Sequence, residues 1–202
     1  MPTSIMPSTL RLSMAVSAIL CAHICSAQFK SIQVEQVDNA AAVPGRTYRF
    51  YVVLANDSDQ VHMVYGDVAH PLEIQSTKPF YQSPEGAAFS NQISRKRATE
   101  NPQVRFDSWL TIGGLDNYDN ETTNFLIKTD EFETSGGPIR TSDGAWFCIP
   151  GKTQTYAGVD RRVLIAQLTT EGVITGKVSI MGRTARGEVF HAYDVELRAG
   201  KK

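Results

Sequence analysis

Downstream of residue 27, short runs of β-branched, aromatic and aliphatic residues alternate with clusters of Gly, Pro, Asn and Asp. No stretch of useful length repeats its apolar positions at the helical period. The pattern predicts strands at Ser31–Val37, Thr47–Ala55, Gln60–Tyr65, Leu72–Gln75, Val104–Ile112, Asn124–Ile127, Ala145–Ile149, Arg162–Thr169, Val173–Met181 and Glu188–Leu197. About ten strands at this spacing predict an all-β fold, an antiparallel β-sandwich, with a β-barrel as the alternative.

The C-terminal third carries the strongest pattern. Thr170-Glu171-Gly172 between two apolar runs reads as a hairpin turn, and the turn at 182–187 then completes a three-stranded meander. In the last strand, alternation places Val189, His191, Tyr193, Val195 and Leu197 on one face, with Glu188, Asp194 and Glu196 on the other. Asn56-Asp57-Ser58-Asp59 reads as another hairpin turn. Two connections are long: 76–103, with three prolines and the triplet Arg95-Lys96-Arg97, and the acidic 113–124. A connection as long as the first is either functional or hides an element.

The first 27 residues read differently. Arg11 precedes an apolar stretch from Leu12 to Ile24, and Cys25-Ser26-Ala27 supplies small residues for cleavage. This predicts a signal peptide over 1–27, a single domain over 28–202 and a secreted, extracellular product. The stretch is too short to span a bilayer, and no second apolar run is long enough to do so. Without Arg11 the chain carries one fewer than its 20 Lys+Arg against 21 Asp+Glu, so no bulk attraction to nucleic acid follows. Cys148 is the one cysteine beyond the signal, which leaves no internal disulfide. Its apolar neighbours Trp146, Phe147 and Ile149 point to a buried thiol.

No Gly-x-Ser-x-Gly elbow, His-Glu-x-x-His pair, P-loop or Cys-x-x-Cys motif is present. Two candidate sites remain. The turn Asp116-Asn117-Tyr118-Asp119-Asn120-Glu121 gathers oxygen ligands, so Asp116, Asp119 and Glu121 are candidate ligands to a structural calcium ion. A solvated turn would use the same residues for backbone reasons. Alternation over Phe106–Ile112 places Asp107, Trp109 and Thr111 opposite Phe106, Leu110 and Ile112. A ring flanked by polar groups suits a sugar, so Trp109, Asp107 and Thr111, with Phe80 and Tyr81, are the candidate ligand-binding residues. The alternative packs Trp109 under the long connection.

The segments Tyr48–Ala55, Phe80-Tyr81-Gln82, Asp107–Gly113, Phe132-Glu133 with Gly136-Gly137, Gly144–Phe147 and Arg162–Gly172 together resemble an uncharacterised family of secreted β-rich proteins from marine bacteria and algae. The resemblance implies export and a β-rich fold and carries no known activity. The expected function is therefore a non-enzymatic binding or structural protein that recognises an extracellular polysaccharide or protein. A glycosidase-like enzyme, with Asp107 and Glu133 as available carboxylates, is one alternative. A homo-oligomer assembled through an edge strand or Cys148 is another.

Overall fold

A computed structural model describes residues 28–200; the predicted signal peptide lies outside the described residues. In chain order the elements are β1 (Phe29–Val37), β2 (Arg46–Leu54), β3 (Gln60–Tyr65), β4 (Leu72–Ser76), α1 (Arg95–Glu100), α2 (Pro102–Arg105), β5 (Trp109–Leu110), β6 (Thr123–Phe125), α3 (Asp130–Ser135), β7 (Ile139–Thr141), β8 (Ala145–Phe147), β9 (Arg162–Thr170), β10 (Ile174–Arg183) and β11 (Val189–Ala199). They form an all-β sandwich with an antiparallel four-stranded sheet, β1-β2-β9-β5, and a seven-stranded sheet, β6-β8-β3-β10-β4-β7 with β11 on β10. Both sheets keep free edges, so the barrel alternative does not form.

The inner faces meet in one core. Phe50, Val52 and Leu54 of β2 and Ile165 and Leu168 of β9 face Val64 of β3, Ile74 of β4, and Val178 and Ile180 of β10. Trp146 is fully buried between the sheets, and its indole N–H donates to the Thr111 carbonyl at 2.8 Å. The core is assembled without a disulfide among the described residues, and Cys148 is a buried free thiol within it.

Several expectations are corrected by connectivity. β9 and β10 lie in different sheets, so Thr170–Gly172 is a crossover and not a hairpin, and the meander reduces to the β10–β11 pair. Thr170 Oγ1 donates to the Lys78 and Pro79 carbonyls at 3.1 and 3.0 Å, tying this corner to the chain leaving β4. Asn56–Asp59 likewise carries the chain from one sheet to the other. The buried Asp59 carboxylate holds that corner, accepting from Asn56 N at 2.7 Å and Ala185 N at 2.9 Å. Turn composition records that the chain reverses; it does not record whether the partner strand lies beside it or across the core.

The predicted strand Val104–Ile112 is largely absent. Val104 and Arg105 belong to α2, Phe106–Ser108 are irregular, and only Trp109–Leu110 is strand. The connection 76–103 hides α1, capped by Ser94, whose Oγ accepts from Arg97 N at 3.4 Å. Asn101 then caps α2, with Pro102 opening it. These helices are too short to show a period. They cover the outer face of the four-stranded sheet, which is why β9 is buried on both sides from Val163 onward.

Candidate functional site

Four of the five predicted ligand-binding residues, Phe80, Asp107, Trp109 and Thr111, are interior. Trp109 is 2 % exposed and packs against Ile93, Val104 and Leu164 in a second small core beneath α1 and α2. Alternation separates it from Leu110 and Ile112 as expected, but the face it joins is covered, so it offers no sugar platform. Thr111 is fully buried and accepts from Ser90 Oγ at 2.6 Å. Phe80 is a core residue stacked edge-on to Phe132, ring centroids 5.6 Å apart, while the neighbouring Tyr81 is half-buried.

Asp107 has no accessible surface. It accepts from Ser83 N at 2.6 Å and Ala87 N at 3.0 Å, and so fastens the 83–87 turn. Burial pushes its carboxyl up to about 7, with Glu133 adding to the rise and the backbone N–H bonds opposing it. Glu133 Oε1 accepts from Ala88 N at 2.9 Å on the same segment. The two carboxylates thus brace one turn, and a buried Asp107 cannot pair with Glu133 across an open cleft as a glycosidase requires.

The acidic turn is engaged by cations of the chain. Arg95 Nε lies 3.0 Å from both Asp116 oxygens, its guanidinium sits 4.0 Å over the Tyr118 ring, and Lys152 Nζ is 2.6 Å from Glu121. Asp119, at φ 52, sits between them in the left-handed region. Among the described residues no group of three or more His, Cys, Asp or Glu side chains converges as a metal site would need.

The exposed chemistry lies elsewhere, on the outer face of the seven-stranded sheet. β3 and β4 both pair with β10, at Tyr65–Ser179 and Glu73–Lys177, so they form one line interrupted by the loop 66–71. β7 and β8 form a second line, interrupted by 142–144 at the same level, where Gly66 N donates to the Gly144 carbonyl at 3.0 Å. β11 is irregular there too: its pairing shifts between Val178–Val195 and Ile180–Ala192, so Tyr193 and Asp194 together oppose Ser179. Asp194 takes φ 52, a conformation Asp tolerates better than most residues. One transverse fault therefore crosses the sheet, built of two breaks and a bulge.

The bulge corrects the predicted faces of β11. Val189, His191 and Tyr193 point outward, but Val195 and Leu197 turn into the core, with Phe190 and Ala192 packed against it on the inner side. An extra residue reverses the alternation at that point.

Side chains gather along the fault. Tyr193 is 50 % exposed and stacks with two imidazoles, its centroid 4.5 Å from His70 at an interplanar angle of 29° and 5.6 Å from His191 at 7°. Tyr65 Oη lies 2.9 Å from His191 Nδ1, and burial with Tyr193 and then Asp67 beside it pushes the Tyr65 phenol up to about 12. His70 Nδ1 is 2.7 Å from Asp194, which Lys177 also approaches at 3.3 Å; these contacts hold the Asp194 carboxyl below its ordinary range.

Beside this column lies an almost wholly apolar groove of about 450 Å³, lined by Met63, Tyr65, Phe125, Ala145 and Phe147 and by parts of the loops 66–71 and 142–144. Cross-strand register aligns the row Thr123, Phe147, Met63, Met181 and His191 and the row Phe125, Ala145, Tyr65 and Ser179. Sequence reasoning missed this surface because its members come from five strands; alternation grouped Val189, His191 and Tyr193 on one face of the last strand but did not turn that face outward.

The chain matches no protein-family model, no curated protein and no solved structure. Among the described residues no helix is long and apolar enough to cross a membrane.

Proposed function

We propose that this is an exported, non-catalytic binding protein that docks an extracellular polypeptide on the outer face of its seven-stranded sheet. The observation carrying this reading is the exposed apolar and aromatic face itself. Phe125 is 54 % exposed, Tyr193 half exposed, and the groove between them is walled by Met63, Tyr65 and Phe147. A contiguous apolar patch is costly to leave in water and marks an interaction site. Protein is favoured over polysaccharide because the aromatic column turns its ring faces toward one another, leaving edges outward, whereas a sugar ring needs an open aromatic face.

The test is retention of an immobilised peptide array and a polysaccharide array by wild-type protein and by Phe125→Asp. Peptides retained by the wild type and released by the variant, with an unchanged unfolding midpoint, support the reading. Retention of polysaccharides alone, or equal retention of peptides by both proteins, overturns it.

A further inference from the structure

We propose that the protein forms a two-fold dimer by pairing the free edge of β1 with the β1 edge of a second copy. β1 belongs to the four-stranded sheet, so this interface is separate from the docking face on the other sheet.

An edge strand presents a row of unpaired backbone N–H and C=O groups, and folded chains normally blunt such edges. The other edges here are blunted. β5 is two residues long, and its outer side is bridged to Phe89, with Leu110 N donating to the Ala88 carbonyl at 2.8 Å. β6 and β7 are three residues each. β11 is long but bulged at Asp194, and it carries Asp194, Glu196 and Arg198. β1 spans nine residues, contains neither Pro nor Gly, and keeps an unbroken register with β2 from Ser31 to Val37. Among the described residues it pairs with β2 alone. Its one acidic side chain, Glu35, reaches back over β2 to Arg162 of β9, 3.2 Å away, and does not guard the edge.

The side chains of β1 suit a second β1. Its inner row is Ile32, Val34 and Gln36, opposite Val52, Phe50 and Tyr48 of β2. Phe50 and Val52 are fully buried, whereas Val34 at the edge is 36 % exposed. Antiparallel pairing centred on Gln33 overlaps the two strands end to end. It sets Ile32 of each copy opposite Val34 of the other, which extends the inner apolar row across the join. On the outer row Gln33 meets Gln33 and Glu35 meets Ser31, so no like charges are opposed. The same edge serves both copies under a two-fold axis, and the assembly closes at two because each pairing edge is used up. A foreign extended segment would leave its own far edge unpaired.

The experiment is sedimentation velocity on the wild-type protein, Val34→Lys and Gln33→Cys. Val34→Lys puts a charge into the shared inner row; Gln33→Cys places a thiol at the two-fold axis. The wild type is expected to sediment as a dimer, and Val34→Lys as a monomer with wild-type circular dichroism. Mild oxidation should join Gln33→Cys into a covalent dimer and leave the wild type unlinked, because its Cys148 is buried. Gln33 is exposed, so that variant tests the interface even where Val34→Lys fails to fold. A monomeric wild type overturns the proposal. So does a dimer in which Gln33→Cys does not crosslink, or one that a folded Val34→Lys leaves intact.

Discussion

His70 Nδ1 and Asp194 Oδ2, 124 positions apart in sequence, stand 2.7 Å from each other across the fault in the seven-stranded sheet. The contact joins the loop 66–71 to the β11 bulge and aligns His70 under the Tyr193 ring. Asp194→Asn is expected to loosen that loop. Backbone amide exchange at Ala69 and His70 should accelerate severalfold, with the core strands unaffected. Unchanged protection would show that the Asp67 turn alone holds the loop. Because the Asp194 carboxyl is held below its ordinary range, the contact is present above about pH 4 and is lost as acid protonates the folded-state group.

Trp109 and Tyr193 should behave oppositely on truncation. Trp109→Ala empties a buried site among Ile93, Val104 and Leu164 and is expected to cost about 3–5 kcal/mol of unfolding free energy. Tyr193→Ala removes a half-exposed ring and should cost under about 1 kcal/mol while abolishing peptide retention. Urea unfolding of both variants checks the pair; comparable costs would contradict the assignment of one to the core and the other to the surface.

Burial of Asp107 predicts a pH dependence of stability. Its folded-state carboxyl is raised to about 7, above the unfolded value, so the folded protein holds a proton that the unfolded chain releases. Stability from this group is fully present below about pH 4 and falls as pH rises through about 7, a change on the order of 4 kcal/mol. Comparison with Asp107→Asn, which cannot titrate, isolates it: the difference in unfolding free energy between wild type and variant should drift with pH across that window. A constant difference would rule the titration out. Gly86→Ala should be severely destabilising at every pH, because a Cβ there runs into the same carboxylate.

Cys148 should be silent in the folded protein. It is buried, and burial pushes its thiol up to about 11, so little nucleophilic thiolate forms at neutral pH. A thiol reagent is expected to label it only at the rate of unfolding. Rapid labelling under native conditions, or a Cys148-linked dimer on non-reducing electrophoresis, would contradict this.

The strands β1–β4 and β8–β11 were legible because alternation and β-branched composition are local properties of a half-buried ribbon. The burial of Cys148 was legible from its apolar neighbours for the same reason. Other features depend on what each segment meets. Trp109 obeys its predicted alternation, yet becomes core because α1 and α2, too short to have a period, lie over it. Thr170–Gly172 and Asn56–Asp59 reverse the chain as expected, but whether a reversal returns to the same sheet depends on long-range pairing with β2 and β10. The bulge at Asp194 turns Val195 and Leu197 inward although no local residue pattern marks it. The sequence by itself determined a β-rich chain that buries alternate residues without a disulfide. Only the tertiary structure decided which outward residues become neighbours, because the groove of Met63, Tyr65, Phe125 and Phe147 exists through cross-strand register, and register joins positions that the linear chain keeps far apart.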